Sequence, residues 1–215
     1  QDGSVDKVAE VVIDITESKR AENRAKHLNL VLHAVHNVNQ LITREKDINK
    51  LVKGACDILV KNRGYHEAWI ALLDESDKLI TTAESGWGKK FIPFLKQLKK
   101  GRLHTCGMKA LKQPDVVVTM DPSSACPDCP LSGMYGGWGA VTARLEYKDK
   151  IYGIVSVSVP AKFAADKEEH ALFKEVVSDL TFAIHDIELE QIHRRDVEKI
   201  KASLKEKEVM LQEIH

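Results

Sequence analysis

The chain has 215 residues, 30% of them charged, and its 32 basic side chains balance 32 acidic ones. A zero net charge supplies no global field to draw nucleic acid or an acidic partner, and no apolar run reaches the roughly 20 residues of a bilayer-spanning helix. Four cysteines are too few for a secreted disulfide scaffold, which points to a cytoplasmic setting where clustered cysteines serve metal or redox chemistry.

A short β-branched run, Val11-Val12-Ile13-Asp14-Ile15, stops at Thr16 and becomes a charged, Ala-containing helical sequence. Thr16 can cap the orphan amides of that helix, and Glu17 suits its positive N-terminal end. Apolar residues follow at Ala21, Ala25, Leu28, Val31, Val35, Val38 and Ile42. From Leu28 they step by three and four, as a coiled-coil seam does. Leu32 and Leu41 widen the stripe, as where a helix also rests on a globular domain. Asp47 restarts a helix containing Ile48, Leu51, Val52, Ala55, Ile58 and Leu59, which stops near Gly64.

The middle changes period. Ala68-Trp69-Ile70-Ala71-Leu72-Leu73 reads as a buried strand with a hairpin partner over residues 79–83. A Lys-rich amphipathic segment over 91–100 sets Ile92, Leu95 and Leu98 on one face, and Gly101 ends it. Residues 105–111 suit a short helix before Pro114, and Val116-Val117-Val118 a strand. Residues 121–139 form a long Pro/Gly/Cys loop, and loops of that length inside a compact domain are usually functional or disordered. Strands over 140–147 and 151–159 then form a hairpin around Lys148-Asp149-Lys150. In the second strand Ile151, Gly153, Val155, Val157 and Val159 share one face, and Tyr152, Ser156 and Ser158 the other.

Asp166 and Glu169 have capping-box spacing before a long helix with apolar Leu172, Phe173, Val176, Val177, Leu180, Ile184 and Ile187. Val197, Ile200, Leu204, Leu211 and Ile214 again step by heptad, with Lys207 in one core slot. The earlier seam, extended from Ile187, lands on Gln191, Arg194 and Glu198. Register therefore slips within Ile192-His193-Arg194-Arg195-Asp196, a junction between two modules.

The sharpest chemical feature is Cys126-Pro127-Asp128-Cys129-Pro130, whose two sulfurs can reach one point from a tight turn to chelate a metal or close a redox ring. Cys106 stands at a predicted helix start, where amide dipoles favour its thiolate, and His104 lies two residues ahead. A Cys3His set of Cys106, Cys126, Cys129 and His104 would suit zinc if the four converge. An iron–sulfur cluster would need Cys56 to join or His104 to substitute, and Cys56 sits on an apolar helix face that suits burial. Haem is a third option, without the attachment signature, because position 130 is Pro. The competing reading is a Pro-rich loop whose cysteines only pack. Trp87, Trp138 and Tyr135 border the presumed pocket as candidate ligand contacts or packing residues. Trp69 and Phe173 suit the core, and His33, His36, His66, His170, His185 and His193 have no evident partners. Gly133, Gly136, Gly137 and Gly139 form no phosphate loop, since no Lys-Ser/Thr follows them.

Three stretches resemble known families. Asp14, Thr16, Lys19, Arg20, Ala21 and Glu22 match the exit of a PAS sensor domain, where a last strand ends in Asp-Ile-Thr and feeds a signalling helix. Gly107 with Ala110-Leu111 ahead of Pro114-Asp115-Val116-Val117-Val118, then Gly153-Ile154-Val155-Ser156-Val157 before a closing helix, resemble a GAF domain. Residues 204–215, ending at His215, resemble the approach to the phosphoacceptor helix of a sensor histidine kinase.

The resemblance implies an α+β fold: an antiparallel sheet with helices on one face and a ligand pocket on the other. It divides the chain into the last strand of a PAS domain (1–16), a signalling helix (17–46), a GAF domain (47–187) and a coiled-coil helix toward the phosphoacceptor region (188–215). It also implies a homodimer through the terminal helices, with a downstream kinase domain and a response regulator in the parent protein. His215 would lie at or just before the phosphorylated residue, and without an ATP-binding domain the chain would not itself be a kinase. The leading expectation is a sensory input module taking a small ligand, haem, zinc or an iron–sulfur cluster, or sensing redox through cysteines. The alternatives are a passive dimerisation spacer and a thiol-based methionine sulfoxide reductase.

Overall fold

The computed structural model describes residues 36–213, together with isolated helical positions 18, 19, 22, 25, 26, 29, 30, 32 and 33. The expected strand before Thr16, its cap, the seam positions Ala21, Leu28, Val31 and Val35, and the terminal Ile214 and His215 lie outside the described residues. Residues 36–44 close a first helix, α1, so the signalling helix expected to reach 46 ends two residues early. Asp47 then starts α2, Ile48–Arg63. Its carboxylate accepts from the amides of Asn49 and Lys50, and Gly64 ends the helix at φ +72°. That acceptor satisfies orphan amides at the positive helix end, and glycine takes the left-handed turn without a Cβ penalty.

Five strands follow: β1 (Ala68–Leu73), β2 (Leu79–Ser85), β3 (Val117–Thr119), β4 (Trp138–Tyr147) and β5 (Lys150–Pro160). They form one sheet in the order β2-β1-β5-β4-β3, and every neighbouring pair is antiparallel. All six residues of β1 are buried, because both sheet faces are covered there.

One face carries α1, α2 and the final helix α7 (Lys167–Glu213). Val38, Leu51, Leu59, Ile70, Leu72, Val155, Val157, Phe173, Leu180 and Ile184 pack between them. Cys56 is fully buried in this layer, as its helix face suggested. The other face is covered by a 3-10 turn (Gly88–Phe91), α3 (Ile92–Leu98), α4 (Thr105–Lys112) and the long loop after β3. That loop is not structureless. It holds the short α5 (Pro122–Ala125) and a 3-10 turn at Ser132–Met134. A last short helix, α6 (Ala161–Ala164), joins β5 to α7.

Three local expectations need correction. The segment over 91–100 buries Phe91, Phe94 and Leu98, while Ile92 is 49% exposed. It enters through the 3-10 turn, whose tighter winding advances the phase of the helix that follows. In β5 the strict alternation fails at Tyr152. Gly153 pairs with Leu145 but Ile151 pairs with Glu146, so Tyr152 is the extra residue of a bulge and joins the α7-facing core. Gly153 sits at φ +149°, where an added Cβ would lie 2.0 Å from the Ala71 carbonyl oxygen. Finally, Asp166 accepts from the Glu168 amide at 2.8 Å, but the Glu169 carboxylate accepts from the buried Tyr65 hydroxyl at 2.5 Å. Glu169 thus ties α7 to the start of the sheet. The helix itself runs unbroken for 47 residues, straight through positions 192–196.

Candidate functional site

The face opposite α7 is a packed aromatic layer. Phe94 sits at its centre, with Trp69 at 4.9 Å, Phe91 at 5.3 Å and the His104 ring stacked at 5.5 Å, centroid to centroid. Trp87 meets Tyr135 edge-on at 5.3 Å. Leu98, Ala110, Leu131, Ala140 and Ile154 complete the layer, with Cys129 and Trp138 packed against it. Two buried ring nitrogens, Trp87 Nε1 and His104 Nε2, find no hydrogen-bond partner among the described residues. Burial pushes the His104 pKa down, against the pull of the Asp128 carboxylate.

Cys106 and Cys126 line one cleft while Cys129 packs against the aromatic layer, so the pairing is not the one that spacing suggests. The first two interact closely enough to shift each other's titration. Thr105 and Cys106 sit in the first turn of α4, and together with Lys109 they line the cleft with Cys126. Loop residues reach that turn because α5 is capped by Asp121, whose carboxylate accepts from Ser123 N, and ends at Cys126. The Cys106 thiol holds Cys126 down at about 6, helped by the Cys106 amide, by Thr105 and by the Lys109 ammonium, against the opposing effect of burial. Cys106 moves the other way. Its interaction with Cys126 and its burial raise it well above an ordinary thiol. Cys129 is pushed by burial to about 11. Tyr135, raised chiefly by burial, feels all three sulfurs and Glu67.

A cleft of about 300 Å³ opens onto the pair, lined by Thr105, Cys106, Lys109, Thr119, Asp121 and Cys126 among others. A separate groove of about 1430 Å³ runs over the sheet end, bounded by His104, Met108, Tyr147, Tyr152 and His185. At its α7 border the Tyr152 hydroxyl lies 2.6 Å from His185 Nδ1 and donates to Glu188 at 3.2 Å.

Among the described residues no group of three or more His, Cys, Asp or Glu side chains is placed to hold a metal ion. The Cys3His set is not brought together: Cys106 and Cys126 line one cleft, Cys129 packs against the aromatic layer, and His104 turns its ring onto Phe94. Cys56 cannot complete a four-thiolate set for an iron–sulfur cluster, since it lies on the opposite face of the sheet.

Of the pocket candidates, Trp87 and Tyr135 belong to this layer, whereas Trp138 also stacks on His66 at 4.7 Å. Several of the histidines expected to lack partners have them, His185 among them. His66 Nδ1 lies 2.5 Å from Glu67, His170 Nε2 lies 2.6 Å from the Ala164 carbonyl, and His36 bonds Gln40. His193, Arg194 and Arg195 are exposed on α7, far along the chain from the thiols. Sequence reasoning overlooked Glu67, which is buried and joined to the Ser158 hydroxyl. A charged residue directly ahead of the apolar run at Ala68 was the available signal.

No protein-family model matches the sequence, and no curated protein matches it. Solved structures do. The GAF domain of a phosphoenolpyruvate-protein phosphotransferase from Coxiella burnetii is similar at 15% identity and a TM-score of 0.59, over 77% of this chain and 98% of that one. The corresponding Acinetobacter GAF domain is similar at 14% identity and a TM-score of 0.56, over 75% and 96%. Free methionine-R-sulfoxide reductase from Neisseria meningitidis, solved with its substrate, is similar at 13% identity and a TM-score of 0.55, over 74% and 91%. At these identities the likeness establishes the fold, and the fold is that of a GAF domain.

Proposed function

We propose that this chain is the sensory input module of a two-component sensor histidine kinase, working in the cytoplasm, in which the thiol-lined face of the GAF domain receives the signal. One observation carries the reading. Cys106, on α4, and Cys126, at the end of α5, line one cleft, and α4 packs on β4 and β5, whose other face carries α7. A change at the thiols therefore acts on the same two strands that seat the outgoing helix. Leu189, Ile192, Ile200 and Leu204 stand exposed on that helix, which supports a homodimer paired through α7 and leading to a downstream kinase domain and response regulator. The chain itself performs no phosphotransfer in this scheme, and His215 lies at or just before the acceptor. The PAS-like residues at its start fit a relay of modules, with the exit Asp14-Ile15-Thr16 feeding the first helix.

The test is autophosphorylation of the parent kinase, reduced and oxidised, with Cys126→Ser as control. Output that follows the thiols supports the reading. Output indifferent to Cys106, Cys126 and Cys129 makes the domain a spacer. A second reading, reduction of methionine sulfoxide, is favoured by three cysteines on one side of a fold shared with the sulfoxide reductase above. Turnover of free methionine sulfoxide by this chain with a dithiol reductant would decide for it.

A further inference from the structure

We infer that Cys126 and Cys106 form a peroxide-reactive dithiol, with Cys126 the attacking sulfur, Cys106 the resolving sulfur, and the cleft over the first turn of α4 the route by which a small hydroperoxide enters. The inference rests on the input-module reading and names the chemistry of that site. Spacing alone pairs Cys126 with Cys129, but the fold turns Cys129 against the aromatic layer. Its backbone amide serves only to close the turn onto the Cys126 carbonyl, at 2.9 Å. Cys106 and Cys126 instead share one cleft.

The donors divide the roles. Cys126 shares its cleft with Thr105, Cys106 and Lys109, and the polar hydrogens of the first two and the ammonium of the third favour its negative charge. Those contacts stabilise a thiolate on Cys126 and keep the proton on Cys106. Cys126 is only 6% exposed, at a cleft of about 300 Å³. A peroxide of two heavy oxygen atoms reaches such a sulfur, whereas a protein disulfide needs an exposed one for in-line approach.

The chemistry balances in two steps. The Cys126 thiolate attacks one peroxide oxygen, the O–O bond breaks, hydroxide leaves, and Cys126 carries a sulfenic acid. The Cys106 sulfur then attacks the Cys126 sulfur. The S–O bond breaks, the departing hydroxyl takes the Cys106 proton as water, and a Cys106–Cys126 disulfide remains. The two sulfurs together give up two electrons, and peroxide is reduced to water and hydroxide. An external dithiol returns the pair to the reduced state. The disulfide fastens the loop bearing Cys126 to α4, and so to the strands under α7.

The test uses the full chain, reduced without oxygen and treated with one equivalent of hydrogen peroxide, then alkylated and mapped by peptide mass spectrometry. The expected map shows a Cys106–Cys126 disulfide in most molecules and an unlinked Cys129. Cys106→Ser should accumulate Cys126 sulfenic acid, trapped by dimedone, at least fivefold above the parent. Cys129→Ser should leave the disulfide yield unchanged within about twofold. A Cys126–Cys129 bridge in the parent, or Cys129 oxidised ahead of Cys126, overturns the assignment, and the parent map decides this even if a variant misfolds. A mapped Cys106–Cys126 bridge beside a parent kinase blind to peroxide would overturn the input reading and leave the dithiol standing.

Discussion

Replacing Cys106 by Ala removes the thiol that does most to hold Cys126 at about 6. A cysteine at that value is roughly nine-tenths ionised at pH 7, against about 3% for an ordinary one near 8.5, a ratio of about thirty. A hydrogen bond to a charged group contributes about 1.5–3 kcal/mol, which is about one to two pH units. The amide of residue 106, Thr105 and Lys109 remain in the variant, so Cys126 should rise by that amount and stop short of the ordinary value. Asp121 in the cleft, Cys129, Tyr135 and Glu67 complete the titratable surroundings of the cluster. The assay is the pH dependence of Cys126 alkylation by iodoacetamide, read on its own peptide. The sign for stability follows from the same shift. A thiol depressed in the folded state contributes stability that is complete above the unfolded pKa and is lost as pH falls through the folded one. The window here is roughly pH 8.5 down to 6. A parent midpoint at pH 8 or above, or one unmoved in Cys106→Ala, would refute the account of the pair.

Three further outcomes are expected. Gly153→Ala places a Cβ 2.0 Å from the Ala71 carbonyl oxygen, which should cost about 3 kcal/mol in urea unfolding; a loss under about 0.5 kcal/mol would mean that the bulge relaxes freely. Tyr65→Phe takes from the buried Glu169 carboxylate the hydroxyl at 2.5 Å and should cost about 1–2 kcal/mol, with no change if that contact contributes nothing. Ile200→Asp with Leu204→Asp changes two exposed apolar residues of α7. It should turn a dimer into a monomer in sedimentation velocity while circular dichroism stays constant, and an undiminished dimer would place the interface elsewhere.

The elements were largely legible because each carried its own signal. Asp47 and Gly64 bracket α2, the apolar run at Ala68 marks a strand buried on both faces, and Gly153-Ile154-Val155 lies in the last strand. What failed depended on local geometry that periodicity does not record. A 3-10 turn rephased α3 so that Phe91 and Phe94 face inward, and a bulge moved Tyr152 to the α7 side. The cysteines were legible as a cluster but not as a pair. Three residues apart on a loop, Cys126 and Cys129 look coupled, yet the capped α5 sets Cys126 in the cleft beside the first turn of α4 and leaves Cys129 against the aromatic layer. His104 looked like a ligand from its neighbour Cys106, but successive residues at a helix start point in different directions, and its ring stacks on Phe94. Contacts such as Glu67 with Ser158 or Tyr152 with His185 join residues far apart in sequence, and no local pattern announces them.

The central claim is that the state of the Cys106–Cys126 pair reaches the output through α7. The most direct measurement is autophosphorylation of the parent kinase before and after one equivalent of hydrogen peroxide, alongside Cys126→Ser. The account predicts a several-fold change on oxidation, reversed by dithiothreitol and absent in the variant. Equal output in all four conditions, with the disulfide shown to have formed, would contradict it.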